Sequence, residues 1–103
     1  MNLNNFLAPD SCSDMEDIRR EIDHIDQAII TVLGKRRHYV MAASSFKTSE
    51  TDVRAPERFN AMLTQRRVWA EAEGLNPDVI EKMYTILVNH FIEEEMRHWK
   101  SHT

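Results

Sequence analysis

The sequence predicts an all-α fold on three observations: few turn residues, a long helical repeat of apolar positions near the N-terminus, and two further sets of helix start and stop signals. Only two glycines and three prolines interrupt 103 residues. Good helix formers, Ala, Leu, Met, Glu, Arg and Gln, are plentiful. A chain of this length makes one domain with a modest core, so help from a second chain is expected. The expected organisation is a loose arm over residues 1–12 followed by a helical domain over residues 13–103.

Ser13 with Glu16 three residues on has the form of a capping box and predicts the first helix start. Met15, Ile18, Ile22, Ile25, Ile29, Val32, position 36, Tyr39, Ala43 and Phe46 then alternate steps of three and four. This heptad-like seam covers about 32 residues and predicts a helix roughly 48 Å long. A folded chain of 100 residues has a radius of gyration of about 13 Å, so the helix overshoots its own domain and its apolar stripe calls for a partner. Gly34 costs about 1 kcal/mol against Ala, too little to break the pattern. From Phe46 to Arg54 the period is lost and Thr48, Ser49, Thr51 and Asp52 predict a loop.

Pro56 with Glu57 beside it marks a second helix, which runs through Phe59, Met62, Leu63 and Val68 and stops at Gly74. Asn76, Pro77 and Asp78 supply a cap, a first-turn proline and an acid suited to the helix dipole. The third helix is expected to reach about Lys100. The topology is long helix, loop, short helix, medium helix.

A formal net charge of −4 without a basic block argues against a nucleic-acid partner. Small anions need only a few placed cations. Cys12 is the one cysteine, so no intrachain disulfide forms and a reducing compartment fits. Flanked by Ser11 and Ser13, it reads as an inert surface thiol. No segment approaches the roughly 20 apolar residues that span a bilayer, and Met1 to Cys12 lacks the features of a signal peptide. A cytoplasmic protein with no membrane partner is expected.

Charged residues stand where apolar ones belong. Arg36 occupies the seam of the first helix although Lys35 and Arg37 flank it, and a guanidinium turned inward must find an anion. A structural ion pair or a register-setting residue in a dimer seam accounts for Arg36 equally well. In the third helix, Met83, Leu87, Phe91, position 95 and Trp99 form an apolar row broken by Glu95. Burial of that kind favours a neutral carboxyl that donates a hydrogen bond, and a direct salt bridge to Arg36 is the competing reading. Arg19 lies at the edge of the seam, within reach of a neighbouring helix. Lys47 lies at the far end, where complementing the helix dipole is its ordinary role. Glu93 and Glu94 read as surface charges. Fixed cations with one hydrogen-bond donor suit a pericyclic reaction, which needs neither nucleophile nor metal.

Asp17-Ile18-Arg19, Ile22-Asp23-His24-Ile25-Asp26 and Leu33-Gly34-Lys35-Arg36-Arg37 resemble the first helix of all-helical (type II) chorismate mutases. The likeness extends from Asp14 to Trp99. Ala42 to Glu50, with Ala55-Pro56-Glu57-Arg58, is similar to the isochorismate pyruvate lyases of salicylate and siderophore biosynthesis within that class. The resemblance implies an intertwined homodimer with two shared sites. In each, Arg19 of one protomer and Arg36 and Lys47 of the other bind the carboxylates and ether oxygen of a small-molecule substrate. It further implies apolar walls from Val40, Ala43, Met62, Val88, Phe91 and Ile92, residues that periodicity alone makes ordinary core. Glu57 falls at a position that binds a ring hydroxyl. The implied activity is cleavage of isochorismate to salicylate and pyruvate without a cofactor, with weak chorismate mutase activity.

Glu95 departs from the lyase pattern, which has glutamine there, and so requires the protonated acid; some mutases of the class carry glutamate. A mutase acting on chorismate or a related acid is therefore the alternative. Two readings come from other classes. Glu21 with His24, and Glu95 with His98, have the Glu-x-x-His spacing of di-iron bundles, but His24 lies off the seam. His90, Glu94 and His98 also share a face and read as surface residues. A non-catalytic helical dimer would instead use Arg36 and Glu95 as a buried pair.

Overall fold

Helix α1 (Met15–Ala43) begins where an aspartate, not a serine, supplies the cap. Asp14 Oδ1 accepts from the Asp17 N–H at 2.9 Å, and Asp17 Oδ2 accepts from Ser13 N–H and Oγ at 3.0 and 2.9 Å. In place of the expected box of Ser13 with Glu16, Asp14 caps the Asp17 N–H and the Asp17 carboxylate takes both Ser13 donors. The Ser13 backbone N–H, then its hydroxyl, hold the Asp17 carboxyl below the usual aspartate value.

In a computed structural model, residues 6–102 are described. All regular structure among them is helical. They divide into two units, one up to His38 and the other from Tyr39 onward. Before α1, the first unit carries a 3-10 turn at Pro9–Ser11, and Leu7 N–H donates to Glu21 Oε2 at 3.1 Å. Residues 1–5 of the expected arm lie outside the described residues. Cys12 is half-buried; desolvation and the neighbouring carboxylates, Asp17 first, push its thiol up and disfavour the reactive thiolate.

Helix α1 passes through Gly34 without interruption and spans 29 residues, about 44 Å. It ends earlier than the seam suggests. Ser44 Oγ donates to the Met41 carbonyl at 2.6 Å and Ser45 Oγ to the Ala42 carbonyl at 2.9 Å, and Ser44–Phe46 tightens into a 3-10 turn. No residue of α1 is buried, and Ile22, Ile25, Ile29, Val32 and Tyr39 are all exposed.

In the second unit, the expected loop contains a short helix, α2 (Glu50–Arg54). Thr48 and Asp52 repeat the Ser13 and Asp17 arrangement. Asp52 Oδ2 accepts from Thr48 N–H and Oγ at 3.0 and 2.9 Å, and Ser49 Oγ caps the Asp52 N–H at 3.1 Å. Residues that read as loop formers thus serve as caps, which a periodicity criterion misses in five residues. Ala55 stands left-handed at φ 39°, ψ 62°, ending α2 and admitting α3 (Pro56–Ala72).

Helix α3 closes with a Schellman motif: Gly74 at φ 73°, Leu75 N–H on the Ala70 carbonyl and Gly74 N–H on the Glu71 carbonyl. Asn76 Oδ1 then accepts from Asp78 and Val79 N–H and starts α4 (Pro77–Ser101) as expected. Helices α2 and α3 and the Ser44–Phe46 turn all pack on α4. Val53, Met62, Ala70, Phe91 and Met96 are the buried apolar residues, whereas Val68 of α3 is exposed. Arg67 bridges α3 to α4 through Asp78 at 2.8 Å, and Arg66 lies over the Trp69 and Tyr84 rings. Lys100 to Glu50 at 3.2 Å and Arg54 to Glu93 at 3.4 Å tie α2 to α4 from the surface.

Candidate active site

The i, i+4 row of α4 changes character along its length. Met83 is exposed, Leu87 half-buried, and Phe91 and Glu95 are buried, Glu95 to 2% exposure. Burial deepens on the half of α4 that runs alongside the ion pairs to α2. A carboxyl group there lies among Phe91 and Met96, both also buried, and removing its charge from water requires a counter-charge.

Lys47 supplies it. Its Nζ stands 2.8 Å from Glu95 Oε2, close but without the alignment of a hydrogen bond. Lys47 directly follows the 3-10 turn, donates its N–H to the Ser44 carbonyl at 3.2 Å, and accepts at its own carbonyl from Trp99 Nε1 at 2.9 Å. Sequence spacing alone joins neither Lys47 to Glu95 nor Lys47 to Trp99, which stand 48 and 52 positions apart. Trp99 is the site residue that sequence reasoning missed; its place in the Glu95 row was the available signal.

Of the other predicted residues, Val40 and Ala43, at the end of α1, are half-buried, as are Val88 and Ile92 on α4 beside Phe91 and Glu95. Met62 of α3 is buried. Glu57, in the first turn of α3, is exposed. Arg19 and Arg36 belong to the stretch of α1 in the first unit, Arg19 exposed and Arg36 half-buried. Ser44, whose carbonyl accepts from the Lys47 N–H, and Val53 of α2 are buried residues that the sequence pattern does not single out.

The Glu-x-x-His pairs do not behave as ligand sets. Glu21 and His24 approach each other to 3.7 Å with His24 largely exposed, and Glu95 is buried while His98 is exposed against the His102 ring. His90 pairs with Glu94 at 3.0 Å. Glu94 is half-buried, not a free surface charge. Among the described residues, no three His, Cys, Asp or Glu groups gather as a metal site. An open groove along the first half of α4, lined by Glu81, Lys82, Thr85 and Ile86, includes none of the predicted site residues. No described helix is long and apolar enough to cross a membrane.

The chorismate mutase type II family model matches residues 18–96, a span containing Arg19, Arg36, Lys47 and Glu95. The chain is 42% identical over 92 residues to a protein of Pseudomonas aeruginosa named isochorismate pyruvate lyase, covering 89% of this chain and 91% of that one. It is 38% identical over 68 residues to the T-protein of Haemophilus influenzae and 38% over 65 residues to that of Enterobacter agglomerans. Those matches take in 65% and 62% of this chain but only 18% and 17% of the T-proteins. The match across most of its length, on an all-helical fold, shows that the chain belongs to the chorismate mutase type II family.

Proposed function

We propose that the chain is an isochorismate pyruvate lyase, converting isochorismate to salicylate and pyruvate. The observation that carries this reading is the nearly end-to-end match to the Pseudomonas lyase, where the T-proteins are matched over less than a fifth of their length. The Lys47 ammonium, held against a buried carboxyl beside half-buried Val88 and Ile92, supports it chemically. Isochorismate carries two carboxylates and an ether oxygen. Lys47 and Arg36 of one protomer, with Arg19 of its partner, bind these groups in the proposed dimer, and the apolar walls of Val40, Ala43, Met62, Val88, Phe91 and Ile92 hold the ring. Glu57 receives the ring hydroxyl.

The reaction is concerted. The hydrogen on ring carbon 2 passes to the methylene carbon of the enolpyruvyl group as the C–O ether bond breaks, and the ring becomes aromatic. All atoms of the substrate appear in salicylate and pyruvate, so no water, oxidant or cofactor enters. The site contributes a folded substrate conformer and positive charge, or a donated hydrogen bond, at the departing oxygen. Glu95 faces the Lys47 ammonium at 2.8 Å and so fixes where that positive charge meets the departing oxygen.

The exposed isoleucine stripe of α1 supports a homodimer in which the two copies cover each other's stripes. A cytoplasmic setting suits the single cysteine. Chorismate mutase activity is the second reading, favoured by the family description itself. Incubating the protein separately with isochorismate and chorismate, and following salicylate, pyruvate and prephenate, tests both. Salicylate and pyruvate in equal amounts, with slower prephenate formation, are expected. Prephenate alone would reverse the order of the two readings, and no product from either would leave a non-catalytic helical dimer.

A further inference from the structure

The geometry points to Trp99 as a positioning residue for Lys47: its indole N–H clamps the Lys47 carbonyl, so that the ammonium is presented at Glu95. This rests on the lyase reading for its consequence but not for its geometry. Lys47 is held at both ends by one face of α4. Trp99 Nε1 takes its carbonyl at 2.9 Å and Glu95 Oε2 meets its ammonium at 2.8 Å. The two anchors are four residues apart, about 6 Å along the helix, a distance the lysine side chain spans.

Without the Trp99 bond, the Lys47 carbonyl would be one of the unpartnered carbonyls that end a helical turn. With it, the segment between the Ser44–Phe46 turn and α2 is fixed at the residue that carries the cation. A half-buried tryptophan places its ring against the protein and directs its single donor, here to backbone rather than water. Replacing the indole by a phenyl ring removes the donor together with part of the ring, and frees the lysine to sample other rotamers before substrate arrives.

Trp99→Phe, made in the parent and in a Lys47→Ala background, separates the clamp from lost ring packing. Its expected kcat/KM on isochorismate is about three- to tenfold lower, as for one lost hydrogen bond. That loss should vanish in a Lys47→Ala background, where the anchor no longer acts on a cation. Equal fold losses in both backgrounds would mark Trp99 as ordinary core and overturn the proposal. Amide hydrogen exchange on the full chain gives a readout independent of activity: residues 44–50 should exchange several-fold faster in Trp99→Phe, with α3 unchanged. Unaltered exchange there also overturns it. If the parent protein releases no pyruvate from isochorismate, the lyase reading falls, and exchange at residues 44–50 still decides the clamp.

Discussion

At the scale of single residues, Lys47 and Glu95 depend on each other. Lys47→Ala is expected to lower kcat/KM by about a hundredfold or more, the loss typical of a removed electrostatic donor. Steady-state kinetics with isochorismate measures it. Glu95→Gln, whose amide keeps the shape and donates to the ether oxygen, should keep or raise kcat/KM on isochorismate. A large loss of kcat/KM in that variant would show that the carboxylate itself is needed to hold Lys47. Asp17 and Asp52 make a pH prediction. The backbone N–H of Ser13 and of Thr48 respectively, then the hydroxyls of the same residues, lower these two carboxyls below the ordinary 3.8. A depressed folded value stabilises the fold above the unfolded value, and that contribution disappears as pH falls through the folded one. Asp52→Asn should therefore lower the thermal midpoint near neutral pH and narrow its gap from the parent below about pH 4.

At the scale of elements, two left-handed positions predict opposite signs. Gly74, at φ 73° in the turn after α3, suits its conformation, and Gly74→Ala should cost about 1 kcal/mol. Ala55, at φ 39° between α2 and α3, pays for its Cβ, and Ala55→Gly should be neutral or stabilising by up to about 1 kcal/mol. Denaturant unfolding of the two variants checks both. The cap at Asn76, with two N–H groups on its side chain, predicts a loss of about 1 kcal/mol for Asn76→Ala. These elements were legible in different degrees. Helices α3 and α4 announce themselves by proline, glycine and asparagine, whereas α2 is one turn and a half long, too short for any period to show.

At the scale of the whole molecule, α1 presents Ile22, Ile25 and Ile29 at 51%, 41% and 47% exposure along one stripe. Exposed isoleucines at heptad spacing over this length are costly for a lone chain, since each one buried contributes roughly 1.5–3 kcal/mol. A dimer is expected by light scattering at micromolar concentration. Ile25→Asp should shift it toward monomer with loss of helical signal and of activity together, because the proposed site draws Arg19 from the partner. A monomer that retains full activity would refute the shared site.

What the sequence determined by itself was the local and the periodic: three main helices, reading through Gly34, the Asn76 cap, and the anomaly of charges at positions 36 and 95. Those features are written in spacings of three and four residues, where the physics of a single helix operates. Only the tertiary structure decided that Glu95 meets Lys47 and that Trp99 holds the lysine's backbone. Such contacts join residues about 50 positions apart, and their geometry is set by how α2 and the Ser44–Phe46 turn pack on α4, which no period along the chain encodes.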